Sequence, residues 1–408
     1  PGAVLEHLLA RLEAERDGRS PRGASSTPGR LTESILADEL KNTRRGARKA
    51  PPATLSLDAM PPGFRAYAKR FNDNVTGGSG DSEIESVNDG SQTHSGIPLP
   101  FADPAVGGGV VPSRAIRIHV RRSADRDASE RRDDTLRLLQ GMQMIDSSEA
   151  AVMCTRKRLL LVLARAGLVD LDGDGDETRI GRGEAEVVLE GSVRCADALR
   201  GEWPWDEAPR LLVSRPPWLR IKDRFRGHPE GSQMRKDLSR ELRDTKEIDG
   251  SLRFAALRGN VNLYRLFLER ALNLVREGGR IRMLVPDALL REKSSVALRK
   301  LMVEKNEWCS SWSFPEPQRV FPGASQGVLV LGLTVGGSTE VMTSFGPLGF
   351  NEVSPKSGLD SGAPFLELER GPWSVWTDLV WAVPKMPRDH YMRRAVLKAI
   401  GELADQPR

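Results

Sequence analysis

The sequence predicts an α/β protein, an open sheet of mostly parallel strands with helices between them. Three observations carry this. From Ile97 onward, short apolar runs alternate with stretches of helical periodicity. The first run ends at Asp103 and meets a glycine-rich turn, Gly107-Gly108-Gly109, ahead of a helix. Further on, Leu263, Leu266, Phe267, Ala271 and Leu274 stripe one helix face, Gly278-Gly279 stops that helix, and Arg280–Val285 follows as a strand.

Taken in order, residues 4–16 read as an amphipathic helix, and the Gly/Ser/Pro/Arg stretch up to Arg30 reads as a loop. Residues 31–41 form a second helix, with Leu31, Ile35, Leu36 and Leu40 on one face. From Arg44 to Gly96 the chain is rich in Gly, Ser, Asn, Asp and Pro, and residues 74–96 read as a flexible insertion. Order returns with a strand at 97–103. Strands are then expected at 136–145, 187–195, 210–213, 280–285 and 327–335, with helices at 149–166 and 262–277. No internal repeat is visible.

Composition bounds the function. The chain has 408 residues, and 61 Lys and Arg against 56 Asp and Glu leave a net charge of +5. At roughly 100–200 residues per domain, this length allows two or three domains. A mild positive balance permits a nucleic-acid partner without demanding one. The three cysteines, Cys154, Cys195 and Cys309, are odd in number and far apart, which excludes a disulfide scaffold. Five scattered histidines build no ligand cluster, so no metal site is expected. No apolar run approaches the ~18–20 residues that span a bilayer, and no signal peptide is visible. A cytoplasmic place without a membrane partner is the expectation.

Two segments carry candidate chemistry. Asp103-Pro104-Ala105-Val106-Gly107-Gly108-Gly109 follows a strand. In a doubly wound sheet that turn lets backbone approach a nucleotide-like ligand, although glycine turns also serve plain geometry. Ser214-Arg215-Pro216-Pro217-Trp218 follows the apolar run Leu211-Leu212-Val213. Two prolines stiffen a loop at the sheet's carboxyl edge, and Trp218 offers a flat face to a base; a rigid turn with a packing Trp reads equally well. The run Asp170-Leu171-Asp172-Gly173-Asp174-Gly175-Asp176 mimics the start of an EF-hand loop, but its twelfth position is Gly181, so it reads as an acidic turn. Arg44, Arg45, Arg48 and Lys49 form one basic cluster, and Arg220, Lys222, Arg224 and Arg226 another. Each is either a phosphate-contacting patch or a solvated face.

Together with the helix beginning Asn262-Leu263-Tyr264, the strand Gly279-Arg280 to Val285 and the turn Pro286-Asp287, these segments resemble the N6-adenine DNA methyltransferases of restriction-modification and phage-defence systems. Asp103–Gly109 resembles their motif I, usually Asp-Pro-Ala-Cys-Gly-Ser-Gly. Thr27-Pro28 before a helix resembles motif X, Gly141 to Asp146 motif II, and Ala196-Asp197-Ala198-Leu199 motif III. Arg215-Pro216-Pro217-Trp218 stands where their Asn-Pro-Pro-aromatic motif IV belongs. The resemblance covers roughly residues 25–41 and 100–335.

It implies a Rossmann-like fold that uses S-adenosylmethionine, and three regions: a helical N-terminal segment over 1–99, a methyltransferase domain over 100–340, and the start of a target-recognition region over 341–408. It implies that Thr27, Pro28, Asp103, Ala105, Gly107 and Gly109 hold the cofactor's methionine part, that Gln143 or Asp146 meets its ribose, and Asp197 its adenine. Arg215, Pro216, Pro217 and Trp218 are then the catalytic segment around a base flipped from double-stranded DNA. Specificity or nuclease subunits are the further partners.

Two departures stand out. Family members carry Asn, Asp or Ser before Pro-Pro, an acceptor for the adenine amino group, whereas Arg215 has donors only. The ribose-binding carboxylate belongs two residues after the glycine, where Gln143 stands. Two further readings follow: a catalytically silent module that binds DNA or partners, and, against the missing Gly-x-Gly-x-x-Gly spacing, a nucleotide-binding oxidoreductase.

Overall fold

A computed structural model describes residues 96–247, 250–254, 261–315, 326–348, 365–375, 380–384 and 395. Thr27, Pro28, the two expected N-terminal helices, the insertion at 74–95 and the cluster Arg44 to Lys49 lie outside the described residues.

A mixed nine-stranded sheet organises the rest. Its strands, in chain order, are β1 (Phe101–Asp103), β2 (Met142–Asp146), β3 (Val193–Cys195), β4 (Leu211–Ser214), β5 (Arg280–Pro286), β6 (Asn306–Phe314), β7 (Val328–Val335), β8 (Val341–Phe345) and β9 (Phe365–Glu369). The spatial order is β9-β8-β6-β7-β5-β4-β1-β2-β3. Strands β1 to β5 pair in parallel, while β7 inserts antiparallel between β5 and β6. This is the expected Rossmann-like α/β arrangement, with β2 and β3 added on one side of β1 and β4 and β5 on the other. At such a switch point the carboxyl ends of neighbouring strands leave a crevice.

The period of two along each strand divides the core between the faces. Phe101, Leu211 and Val213 pack with Met142 and Met144 under helices α1 (Val110–Arg122), α2 (Ala128–Gln140), α3 (Glu149–Arg165) and α4 (Arg182–Ser192). Ala102 and Leu212 face the other way. They join Ile281, Met283 and Val285 under helix α7 (Leu263–Leu274), whose Leu268, Ala271 and Leu272 are buried there. Between β4 and α7 lie the short helix α5 (Ile221–Arg224) and the amphipathic α6 (Gly231–Asp244). Helix α8 (Val296–Glu304) precedes β6, and α9 (Arg370–Val375) follows β9.

Two sequence expectations are corrected. Residues 136–140 continue helix α2, and the strand begins only at Met142. Asp127 caps α2 by accepting from the Ser129 amide, and Thr135, Leu138 and Leu139 are buried at helical spacing. Likewise 187–192 belong to α4, which buries Ala185, Leu189 and Ser192 and leaves Val187 exposed, so only Val193–Cys195 is strand. In both places a helix runs into a strand with at most one glycine between them, so apolar residues on either side of the junction read as one element and hide the change of period.

The sheet also continues past 340. Strands β8 and β9 extend it, and Trp373 and Trp381 pack edge-on, 5.3 Å apart, within the same core as Trp308. The acidic turn is held from within: Arg179 pairs with Asp170 and Asp176, and Asp176 caps the amides of Thr178 and Arg179. No helix of the described residues is long and apolar enough to cross a membrane.

Candidate functional site

The crevice is built at the carboxyl ends of β1, β2 and β4. Its first wall is the turn after β1. Gly107 and Gly109 have φ of 55° and 75°, which glycine alone enters without strain. A Cβ on Gly109 would also stand 2.9 Å from the Thr155 methyl of α3. Thr155 fixes the turn by donating to the Gly107 carbonyl at 2.8 Å. The Val106 amide donates to the Ile145 carbonyl, which ties the turn to β2.

Asp103, at the end of β1, is buried. One of its oxygens accepts from the Ser214 hydroxyl at 2.7 Å and from the Ala105 amide at 3.1 Å. Burial pushes its carboxyl up to about 7, against the opposing pull of those two hydrogen bonds. The Ser214 hydroxyl, fully buried, spends its proton on Asp103.

The two ribose candidates separate in space. Gln143 is buried, donates to the Glu207 carbonyl at 2.9 Å and accepts from the Trp203 indole at 2.9 Å, so its amide serves packing. Asp146 ends β2 at the crevice and accepts from the Gly107 amide at 3.0 Å and the Ser148 amide at 2.9 Å. It bridges the glycine turn and the start of α3.

Asp197 follows β3, and its carboxylate closes its own turn. It accepts from the Leu199 and Arg200 amides at 2.9 and 3.1 Å, and from the Arg200 guanidinium at 2.8 Å. Partial burial works to raise its carboxyl, but these hydrogen bonds together hold it below the ordinary value. A ligand reaching this carboxylate competes with Arg200.

The second wall is the loop after β4. Pro216 is buried, Pro217 and Arg215 are exposed, and Trp218 is half-buried. The Trp218 indole N–H donates to the Leu284 carbonyl of β5 at 3.2 Å, which fixes the ring. The Arg215 guanidinium lies over that ring, 5.1 Å from its centroid. The structure thus brings Arg215 and Trp218 together, and the cation covers one face of the indole.

Beyond Trp218 the basic run is partly neutralised. Arg220 and Arg226 both pair with Asp223, at 2.7 and 3.0 Å, and Arg224 lies over Phe225. The backbone of this segment is pinned to the start of α7. The Ile221 amide donates to Val261, and the Leu263 amide to Leu219.

That junction opens a further cleft of about 170 Å³, open to solvent and lined by Arg220, Asn262, Tyr264, Arg265, Pro286 and Glu292 among others. Sequence reading quoted Asn262-Leu263-Tyr264 but gave those residues no role. The Asp103–Ser214 link was equally invisible, since the two residues meet only through strand pairing.

Residues 211–321 match the model of the Eco57I restriction-modification methylase family. No curated protein matches the chain. Among solved structures, the M protein of the type I restriction enzyme EcoKI is 12% identical over 75% of this chain and 68% of that chain, with a TM-score of 0.44. The type IIG restriction endonuclease BpuSI is 14% identical over 93% of this chain and 43% of that chain, with a TM-score of 0.47. LlaGI, a type ISP restriction-modification enzyme in complex with a DNA substrate mimic, is 11% identical over 68% of this chain and 24% of that chain, with a TM-score of 0.45. The chain thus spans less than half the length of BpuSI and of LlaGI. From β4 through β6, where the crevice meets the Arg215–Trp218 loop, this chain is similar to the Eco57I restriction-modification methylases.

Proposed function

We propose that the chain is a DNA methyltransferase acting on adenine N6 with S-adenosylmethionine, within a restriction-modification or phage-defence system, and that Arg215 makes it slow. The observation that carries this is the hydrogen bond from Ser214 to Asp103. Strands β1 and β4 are parallel neighbours, so a glycine turn suited to the cofactor and a loop suited to a flipped base leave the same sheet edge about 4.8 Å of strand spacing apart. Cofactor and base then meet where one group can pass between them.

The residues present fit that cofactor. The turn at Gly107 and Gly109 holds backbone at the crevice, where only glycine conformations serve. The buried Asp103 carboxyl, raised to about 7, is a group that a cationic amine would stabilise as the carboxylate. Asp146 ends β2 at the crevice and takes the ribose role in preference to Gln143, whose amide is already used. Asp197 meets the adenine by releasing Arg200. Thr27 and Pro28 take the motif X role. When bound, the cofactor supplies an electrophilic methyl group on a sulfonium.

The chain's own residues then orient the base. Trp218 stacks it, Pro216 and Pro217 hold the loop rigid, and the Pro216 carbonyl accepts from its amino group. Arg215 must leave the indole for that stack to form. It also places positive charge where the amino nitrogen becomes cationic, which opposes transfer. The same contact favours a second reading, a silent methyltransferase-like module that keeps its cofactor and its DNA or protein partners. Calorimetric titration of S-adenosylmethionine, followed by a methylation assay on mixed-sequence double-stranded DNA, tests both. Binding with slow methylation supports the first, binding alone the second, and no binding contradicts both.

A further inference from the structure

The connection from β3 to β4, residues 196–210, contains no helix. Its first turn carries Asp197, and the Gly201 amide donates back to the Asp197 carbonyl at 2.8 Å. Ala198 and Leu199 of that turn are buried with Ile145 of β2, Leu238 and Leu242 of α6, Phe254, and Leu266 of α7. The turn is therefore backed by α6, by the segment that follows it and by α7, instead of by a helix of its own.

Two buried arginines hold the turn by its carbonyls. Arg253 donates to the Leu199 carbonyl at 3.2 Å and to the Gly201 carbonyl at 2.7 Å. Arg270 of α7 donates to the Ala198 carbonyl at 3.3 Å. Both pair with Glu247, at 3.1 and 2.7 Å. Arg253 is itself placed through its backbone: its amide donates to the Thr245 carbonyl, and its carbonyl accepts from Asn273 of α7 at 3.3 Å. Two guanidiniums share one carboxylate here, so one positive charge is in excess. Burial and the neighbouring Arg253 push Arg270 below its ordinary value, against the pull of Glu247. The carbonyls of Ala198, Leu199 and Gly201 meet that excess with their negative ends. A turn that moved away would leave a buried cation poorly partnered, which is costly.

We infer that Arg253, Arg270 and Glu247 form a clamp that positions Asp197 for the cofactor's adenine. This rests on the DNA methyltransferase reading and deepens it. The clamp acts through the turn and not on the ligand. Its bonds go to backbone carbonyls, while the Asp197 carboxylate is closed by the Leu199 and Arg200 amides and the Arg200 guanidinium. A loose turn would have to be ordered by the ligand, and that lost entropy would come out of the affinity. With the clamp, the ordering is done during folding, and Asp197 stands in place before the cofactor arrives. All three are accordingly positioning residues.

The test is a double-variant cycle, read by calorimetric titration of S-adenosylmethionine into the full chain. Arg253→Lys keeps the charge but cannot reach Glu247, Leu199 and Gly201 at once. It is expected to weaken affinity about tenfold in the natural background and less than about twofold in Asp197→Ala, because the clamp acts through that carboxylate. A residue that only supports the fold would weaken both backgrounds by the same factor. That result, or no effect in either background, overturns the inference. Without cofactor, hydrogen exchange of the Leu199, Arg200 and Gly201 amides is expected to quicken in Arg253→Lys, and unchanged exchange overturns it too. Glu247→Gln, milder because its amide oxygen still accepts, carries the same cycle should Arg253→Lys fail to fold. A natural protein that binds no S-adenosylmethionine removes the methyltransferase reading together with the clamp. Binding with equal factors in both backgrounds removes the clamp alone.

Discussion

The two walls of the crevice are built differently. In the turn after β1, glycine conformations, the Thr155 hydroxyl, the Asp146 carboxylate and the Asp103–Ser214 bond all select the same geometry. The loop after β4 is as rigid, with two prolines and a Trp218 ring anchored to β5, but its charged residue lies across the ring. On the proposed reading, one wall binds the cofactor, while the other holds a cation where a base is expected. Binding and chemistry are therefore separable, and each can be broken without the other.

The largest effect is expected at Gly109. Gly109→Val forces a β-branched residue to φ near 75° and drives its Cβ to within 2.9 Å of Thr155. Strain alone is expected to cost roughly 1–3 kcal/mol of stability. Chemical denaturation should register that loss, and calorimetry a fall in S-adenosylmethionine affinity of at least about tenfold. The same substitution at Gly108, whose Cβ meets little beyond the tip of Arg158 at 3.9 Å, should cost far less.

A second effect, on the pH dependence of stability, should follow from Asp103. Its folded carboxyl titrates at about 7 against an ordinary 3.8, so the fold holds a proton that the unfolded chain releases. Between about pH 4 and pH 7 the native state binds more protons, and this group's contribution to stability falls as pH rises through that window. Above about pH 7 it is constant. Asp103→Asn should flatten that part of the pH–stability curve. If the cofactor's ammonium settles beside Asp103, its binding below pH 7 releases a proton, detectable calorimetrically in buffers of different ionisation enthalpy. Equal heats in all buffers would remove Asp103 from the cofactor's reach.

On the same wall, Asp197→Ala should weaken cofactor binding by roughly 1–3 kcal/mol, the worth of one buried hydrogen bond. Because Arg200 now occupies that carboxylate, Arg200→Ala should leave affinity unchanged or improve it. A loss in both variants would mean that the turn, and not the carboxylate, is what matters.

Much of this arrangement was legible in the sequence. The strand-turn-helix at Asp103–Gly109 and the helix-strand pair from Asn262 to Pro286 have clear punctuation, and their positions followed from it. Only the C-terminal parts of α2 and α4, residues 136–140 and 187–192, read as strand in the sequence, because each helix runs into β2 or β3 across at most one glycine. Side-chain commitments were not legible. Gln143 and Asp146 sit three residues apart on β2, and only strand direction and neighbours show that the first packs against Trp203 while the second reaches the crevice.

The smallest effect concerns the basic run after Trp218. Arg220 and Arg226 already share Asp223, so neutralising Arg220, Lys222, Arg224 and Arg226 together should lower the slope of log DNA affinity against log salt by less than the ~0.9 units per phosphate contact that four free cations would give. A drop close to four full contacts would show that DNA displaces Asp223 from both arginines.

The most direct test of the whole account is single-turnover methylation of DNA adenine by the natural protein and by Arg215→Asn, with cofactor and DNA saturating. Removing the cation from Trp218 and restoring an acceptor should raise the rate by ~10²–10³, the usual worth of one well-aimed catalytic hydrogen bond, with cofactor affinity unchanged. A natural protein that already methylates at an ordinary rate, and that Arg215→Asn alters only in DNA affinity, would contradict it.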